Sequence, residues 1–272
     1  TPTRAMGAHG LARVTLRDVP AEIVETERSV AELLSVSRLL HAARAWGAAD
    51  RAFELVVDYA RERRQFGQPI GRFQAIQHKL ASNLIALRAT AASLDNAAAQ
   101  HDRGAPDWRV LEAAASAFAN ESLRQVSLET HHAFGAIGYA EDHEAPRHFK
   151  RIHLDVVRHG GGRQARAELA DRYLGESRTE FPTLDLGPAA NALRGEVRSW
   201  LARHWPVERR DAYLASEHAH RDYDPDFARE FGRTGWLALT WPEQFGGQAA
   251  SPHELMALLE ELARVDAPRV GA

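Results

Sequence analysis

Between about Glu27 and Arg64 the apolar residues fall at spacings of three and four, with Leu33, Val36 and Leu40 followed by Ala52, Leu55, Val56 and Tyr59. That period fits one face of an α-helix and cannot fit a half-buried strand, which alternates every second residue. Gly67 and Pro69 end the pattern, and it resumes over about 73–102, 107–135, 142–158 and 163–174. The short breaks between long helical segments predict an antiparallel bundle. A single run of the other kind, LARVTLRDV at 11–19, alternates apolar with polar residues and reads as one leftover strand closed by Pro20. A strand alone cannot form a sheet, so its partners must come from elsewhere.

The sequence GESRTEFPTLDLG at 175–187 loses all periodicity and reads as a linker. A second helical module follows, with helices over 193–205, after Asp224-Pro225 and from Ser251-Pro252 to about Val265. Asp224 is a suitable N-cap, and the proline after it is favoured at a first helical position. At 272 residues there is material for one large domain or two ordinary ones.

Composition narrows the function classes. The formal charge is −3, so no basic field marks a nucleic-acid partner. With no cysteine, disulfides, thiolate catalysis and cysteine metal sites are excluded. No apolar run approaches the ~20 residues of a membrane span, and TPTRAMGAHG does not read as a signal peptide. The expectation is a cytoplasmic protein. Only Lys79 and Lys150 are lysines among 34 basic residues; the rest are arginines, which grip carboxylates or phosphates with paired hydrogen bonds.

Two stretches carry possible chemistry. RERRQFGQPIGRFQAIQHK, 61–79, sets several arginines at a helix end beside a tight Phe-Gly turn. Cations there suit the helix dipole, and fixed guanidinium groups beside a turn equally suit a pyrophosphate. VVRHGGGRQAR, 156–166, places three glycines between two helical segments, at a cost a continuing helix would avoid.

R-x-x-F-G-x-P-I followed by F-Q-A-I-Q resembles the signature of the C-terminal helical domain of flavin-dependent acyl-CoA dehydrogenases. MGAHGLARVTLRDVPAE, 6–22, is similar to the last strand of that family's central β-domain and its exit. HHAFGAIGYAEDHEAPRHFKR, 131–151, is similar to its Q-x-x-G-G-x-G turn and the helix after it. LTWPEQFGG and SPHELMALLEELARVDAP, 239–247 and 251–268, resemble its N-terminal helical domain. The resemblance implies four parts: residues 1–26 as the end of a β-domain, 27–175 as a C-terminal-type bundle, 176–187 as a linker, and 188–272 as a partial N-terminal-type helical domain.

It also implies FAD as cofactor and an acyl thioester, of CoA or a carrier protein, as substrate. In the family the C-terminal domain of one subunit helps hold the FAD of its neighbour. By match, Arg63 would meet the pyrophosphate, with Gln65, Phe66 and Gln74 beside it. His132 takes the place of the turn's usual glutamine, and Gly135 and Ala136 that of its two glycines. Arg163 replaces a cofactor-contacting glutamine, and Gly161 lies where a bare backbone would approach a flavin edge or phosphate.

The family's base is a carboxylate. By gapless count its usual position is His159; by the count from Arg63 its alternative position is Ser37, followed by Arg38. Neither is a carboxylate, so no catalytic residue is expected in this chain. The expected role is a cofactor-side surface within a homo- or hetero-oligomer, where another segment supplies the β-domain and the base. A non-catalytic interaction subunit is the alternative. The module order, C-terminal-type before N-terminal-type, fits the joint of two tandem copies, a permuted design or a fragment. A rival reading is a ferritin-like metal bundle built on Glu129-x-x-His132 and Glu217-x-x-His220.

Overall fold

The computed structural model describes residues 14–20, 22, 29–175, 183–216, 223–268 and 270. The chain divides into two compact units, Thr1–Phe181 and Pro182–Ala272.

The first unit is a helical bundle. Helix α1 (Val30–Glu62) starts at Ser29, whose hydroxyl accepts from the Glu32 amide, and buries Arg38, Ala42, Ala45, Ala49, Ala52, Val56 and Ala60 along one stripe. The alanines in that stripe let neighbouring helices come close, since each adds only a methyl group between backbones. After a two-stranded hairpin, β1 (Arg64–Gln65) with β2 (Gln68–Pro69), the chain returns as α2 (Gln74–Asp102). The five-residue loop 103–107 leads into α3 (Trp108–Phe134), which is buried on several faces and forms the spine of the unit. Helices α4 (Ala145–Asp155) and α5 (Gly161–Leu174) complete it. Leu87, Leu94, Leu123, Val126, Ile152 and Val156 fill the core against the alanine stripe.

The second unit has a different core. Helices α6 (Pro188–His204), α7 (Val207–Ala215), α8 (Pro225–Gly232) and α9 (Pro252–Arg264) surround Trp200, Trp205, Phe227, Phe231, Trp236, Leu239, Leu258 and Leu262. Asp224 caps α8 through the Asp226 and Phe227 amides, and Ser251 with Glu254 forms a reciprocal capping box on α9. Arg198 holds the buried Glu261 with two hydrogen bonds, 2.7 and 2.8 Å, which ties α6 to α9.

The helical reading holds, with four differences. Residues 14–19, the described part of the expected strand, are exposed and join no ladder, because the described residues offer them no edge; 11–13 lie outside the described residues. The sheet that does form is the 64–69 hairpin, where the sequence signals only a turn. Helix α6 begins at Pro188 rather than Leu193, since Asp185 accepts from the Gly187 amide and the Asn191 side chain and turns the chain into the helix earlier. Helix α7 is an addition to the expected elements, and residues 176–182 of the expected linker lie outside the described residues.

Candidate functional site

The hairpin after α1 sets the first group of expected residues. Phe66 and Gly67 both have positive φ, 52° and 80°, the combination a two-residue type I′ turn demands. Glycine takes this readily; phenylalanine does so at a cost of ~1 kcal/mol. Phe66 is nonetheless 92% exposed at the tip, held edge-on by Phe73 with 6.1 Å between ring centres. Arg64 donates to the Gly67 carbonyl and the Gln65 amide to the Arg64 carbonyl, so both side chains brace the turn. Arg63 caps α1 through its backbone, donating to Tyr59 and accepting from Ile70. Its exposed guanidinium has no hydrogen-bond or ion-pair partner among the described residues. Gln74 is exposed at the first position of α2, which has no side-chain cap.

The second group lies at the same end of the bundle. Tyr59 and Phe134, the residues just inside the ends of α1 and α3, are 5.5 Å apart by ring centres. Gly135 turns the chain with φ 62°, and Gly135, Ala136 and His132 are all exposed. The neighbouring His131 is the packed one. Its ring lies between Tyr139 and Phe149, its Nδ1 has no partner among the described residues, and burial lowers its pKa. A single-sequence count cannot distinguish the two adjacent histidines.

Ser37, His159, Gly161 and Arg163 sit elsewhere. The 26 residues from Ser37 to Arg63 correspond to about 39 Å of helix. Here the three glycines find a structural reason. His159, Gly160 and Gly161 have φ values of 52°, 82° and 58°, a sharp reversal between α4 and α5. A Cβ on Gly160 would lie 2.8 Å from Gln164 Cβ, and one on Gly161 2.7 Å from the Val156 carbonyl oxygen. Gly161 is buried by that contact, while Arg163 is exposed.

The reversal brings His159 back onto α1. Its Nε2 lies 2.9 Å from Ser37 Oγ, so the two candidate positions for the family's base hydrogen-bond to each other. His41 Nδ1 lies 2.6 Å from the Ser37 carbonyl, which can only accept, so that nitrogen carries the proton. His41 Nε2 is then free to accept from Arg158 at 3.2 Å. Burial, then His41, Arg158 and Arg38, lower the His159 pKa and favour a neutral imidazole.

The carboxylates nearby are all engaged. Arg38, one residue after Ser37, donates to both oxygens of the fully buried Glu112 at 3.2 and 2.7 Å. It also donates to both oxygens of Glu168 at 2.7 and 2.8 Å, which holds the Glu168 carboxyl below its usual range. Ser116 adds a 2.7 Å bond to Glu112. Arg44 grips the buried Asp155 with bonds of 2.8 and 2.6 Å. The sequence points to Ser37, Arg38 and His159 separately, but neither to their junction nor to His41 and Glu112.

The metal reading gains nothing from the geometry. Glu129 pairs with Lys79 at 2.7 Å and accepts from Gln125, and no group of three His, Asp or Glu side chains among the described residues converges. Glu217 and His220 lie outside the described residues. No helix among the described residues is long and apolar enough to cross a membrane.

Comparison with known proteins follows this division. Residues 28–174 match the acyl-CoA dehydrogenase C-terminal domain family, and 188–272 match the acyl-CoA dehydrogenase N-terminal domain family. The chain is 30% identical over 263 residues to acyl-CoA dehydrogenase FadE34 of Mycobacterium tuberculosis, which covers 95% of this chain and 34% of that protein. It is 36% identical over 121 residues to acyl-CoA dehydrogenase IpdE2 of Mycolicibacterium smegmatis, covering 44% of this chain and 37% of that one. By those shares FadE34 is more than twice as long as IpdE2, and this chain spans about a third of the length of the curated relatives it matches. Among solved structures, the ChsE4-ChsE5 complex from Mycobacterium tuberculosis aligns with a TM-score of 0.51 and 27% identity, over 54% of this chain and 39% of that one. With more than half of its length in a single family domain, and the helical fold to match, the chain belongs to the acyl-CoA dehydrogenase family.

Proposed function

We propose that this chain is a component of an FAD-dependent acyl-CoA dehydrogenase whose intact assembly removes the α and β hydrogens of an acyl thioester, and that it contributes cofactor contacts and interfaces rather than the base. The observation that carries the reading is the state of the base positions. Ser37 and His159 bond to each other, and the adjacent carboxylates Glu112, Glu168 and Asp155 are each held by an arginine. A carboxylate that accepts the weakly acidic α-proton needs a raised pKa, whereas Arg38 pushes Glu168 the other way.

The hairpin end fits a dinucleotide. Arg63 offers an uncommitted guanidinium for a pyrophosphate, and Phe66 offers an exposed ring on a braced turn. FAD, where bound, accepts the β-hydride. The residues of this chain would position it: Arg63 by charge, Gln74 by its amide, and Phe66 by covering an aromatic face. His132, Gly135 and Ala136 border the same end of the bundle, while Gln65 keeps the turn in shape through the Arg64 carbonyl. Arg163 belongs to the other end and, being exposed, would serve a second contact surface, while the buried Gly161 would only shape the turn before it.

The continuous match with FadE34 through both modules supports the joint of two tandem copies over a permuted design, because a natural relative carries the same order. A neighbour that is a complex of two different chains supports a heteromeric arrangement as the other way to supply the missing parts. An absorbance spectrum in the flavin bands tests the reading. The chain should be colourless alone and gain flavin with a subunit that brings a β-domain. Stoichiometric flavin on the chain alone, with reduction of an electron acceptor by an acyl-CoA, would overturn it.

A further inference from the structure

The geometry points to Ser37 and His159 as a nucleophile–base pair that takes an acyl group from a thioester and passes it to water. The choice of thioester rests on the function proposed above; the pair itself rests on the contacts around it.

Four hydroxyls inside the helices of this unit, those of Ser35, Thr90, Ser93 and Thr130, donate to a carbonyl one turn back. Ser37 departs from that pattern. Its Oγ faces His159 Nε2 at 2.9 Å, within the range of a serine activated by imidazole. His41 Nδ1 lies farther off, at 3.4 Å, and its proton is committed to the Ser37 carbonyl at 2.6 Å. The His159 nitrogen is therefore the group placed to receive the hydroxyl proton. His41 stands edge-on to the His159 ring at 5.2 Å and is fixed from behind by Arg158, so the imidazole is steadied on that side.

Two further facts separate this pair from an incidental surface contact. The partners are 122 residues apart, and His159 reaches Ser37 only by adopting a left-handed backbone that a β-carbon disfavours. His159 is also exposed, so a substrate has access to it. Burial, then His41, Arg158 and Arg38, keep the resting ring neutral, the form that can take a proton, while weakening it as a base.

The reaction balances without a redox partner. Ser37 Oγ bonds the thioester carbonyl carbon as its proton passes to His159 Nε2. The C–S bond breaks, and the departing sulfur takes that proton to leave as a thiol. Water then gives a proton to His159 while its oxygen bonds the acyl carbon. The C–O bond to Ser37 breaks, Oγ regains a proton, and a carboxylic acid departs.

The test uses the 272-residue chain with S-butyryl-pantetheine, following thiol release and the mass of the Ser37 peptide. The expected result is butyrylation of Ser37 and thiol release above the buffer rate, both abolished in Ser37→Ala. His159→Asn should slow release by about 100-fold, the scale of a lost general base; asparagine tolerates the left-handed backbone, so the turn is kept. Circular dichroism melts of both variants check that the fold survives. An unmodified Ser37, or thiol release unaltered by either substitution, would overturn the pair. Flavin retention is read separately by absorbance. Flavin gained with a partner subunit but no acylation removes this inference and leaves the proposed function, and acylation without any flavin does the reverse.

Discussion

The two ends of α1 have been treated differently by the sequence. At the C-terminal end, Arg63 is uncommitted among the described residues and Phe66 stands exposed in a backbone conformation that phenylalanine disfavours. Toward the N-terminal end the charges are internally consumed: Arg38 with Glu112 and Glu168, Arg44 with Asp155. Unsatisfied donors on a rigid turn are suited to an external ligand. A closed ion cluster is suited to holding helices together. On the function proposed above, the first end would meet the cofactor and the ion cluster at the second would hold the helices together.

The strongest way to break this contrast is at Arg38. If that end is structural, Arg38→Ala leaves the fully buried Glu112 without its cation and should destabilise the first unit by about 3–5 kcal/mol. Urea unfolding measures it. A loss under about 1 kcal/mol would mean that the cluster is not what joins α1, α3 and α5. Arg63→Ala is the counterpart, with the effects exchanged. Stability should stay within ~0.5 kcal/mol, since the side chain is exposed and unpaired among the described residues. Flavin retention in the assembled complex should weaken by about 10–100-fold, the value of one charge-assisted hydrogen bond of ~1.5–3 kcal/mol. Equal retention in both proteins would remove the hairpin from the cofactor site.

How much of this was legible in the sequence differs between the same two ends. The hairpin end was readable because it is local: Arg63, Gln65, Phe66 and Gln74 lie within a dozen residues, and the turn follows from Phe-Gly. The helices were readable for the same reason, since their stripe repeats every three or four residues. The N-terminal end depends on contacts that span 74, 122 and 130 residues, which no spacing rule conveys. Counting puts Ser37 and His159 at alternative positions for one group, but only the fold shows that they touch. The expected strand joins no ladder among the described residues for the complementary reason. Alternation at 11–19 is a local signal, while a ladder needs a partner that the described residues do not supply.

A smaller effect concerns the histidines near the hairpin end. Burial lowers the pKa of His131 and of His153, the latter also through Arg124 and His131. Below the ordinary histidine value of about 6.5 the unfolded chain therefore binds more protons than the folded one. Their contribution to stability is complete above that pH and is lost as the pH falls through and below it. Melting temperatures at pH 7.5 and 5.5 should show this fall, and His153→Phe should reduce it. An identical fall in the variant would assign the dependence to His131 and to His159, whose pKa is also lowered, since Glu168 loses its advantage only at lower pH, where its carboxyl protonates.

The smallest expected change sharpens the comparison most. Phe66→Asn replaces a residue that resists positive φ with one that suits a type I′ turn, and places Asn-Gly, the favoured pair, at the hairpin tip. Phe66 is 92% exposed and, among the described residues, makes ring contact only with Phe73, so little packing is lost. The variant should gain a few tenths to ~1 kcal/mol of stability. If the ring is kept for a ligand, the same change should lower flavin retention in the assembled complex. A residue that costs the fold something and is repaid only in the complex marks a binding surface. If Phe66→Asn gains stability and leaves flavin retention untouched, the strain at the tip has another origin, and the two ends of α1 differ less than their hydrogen bonds imply.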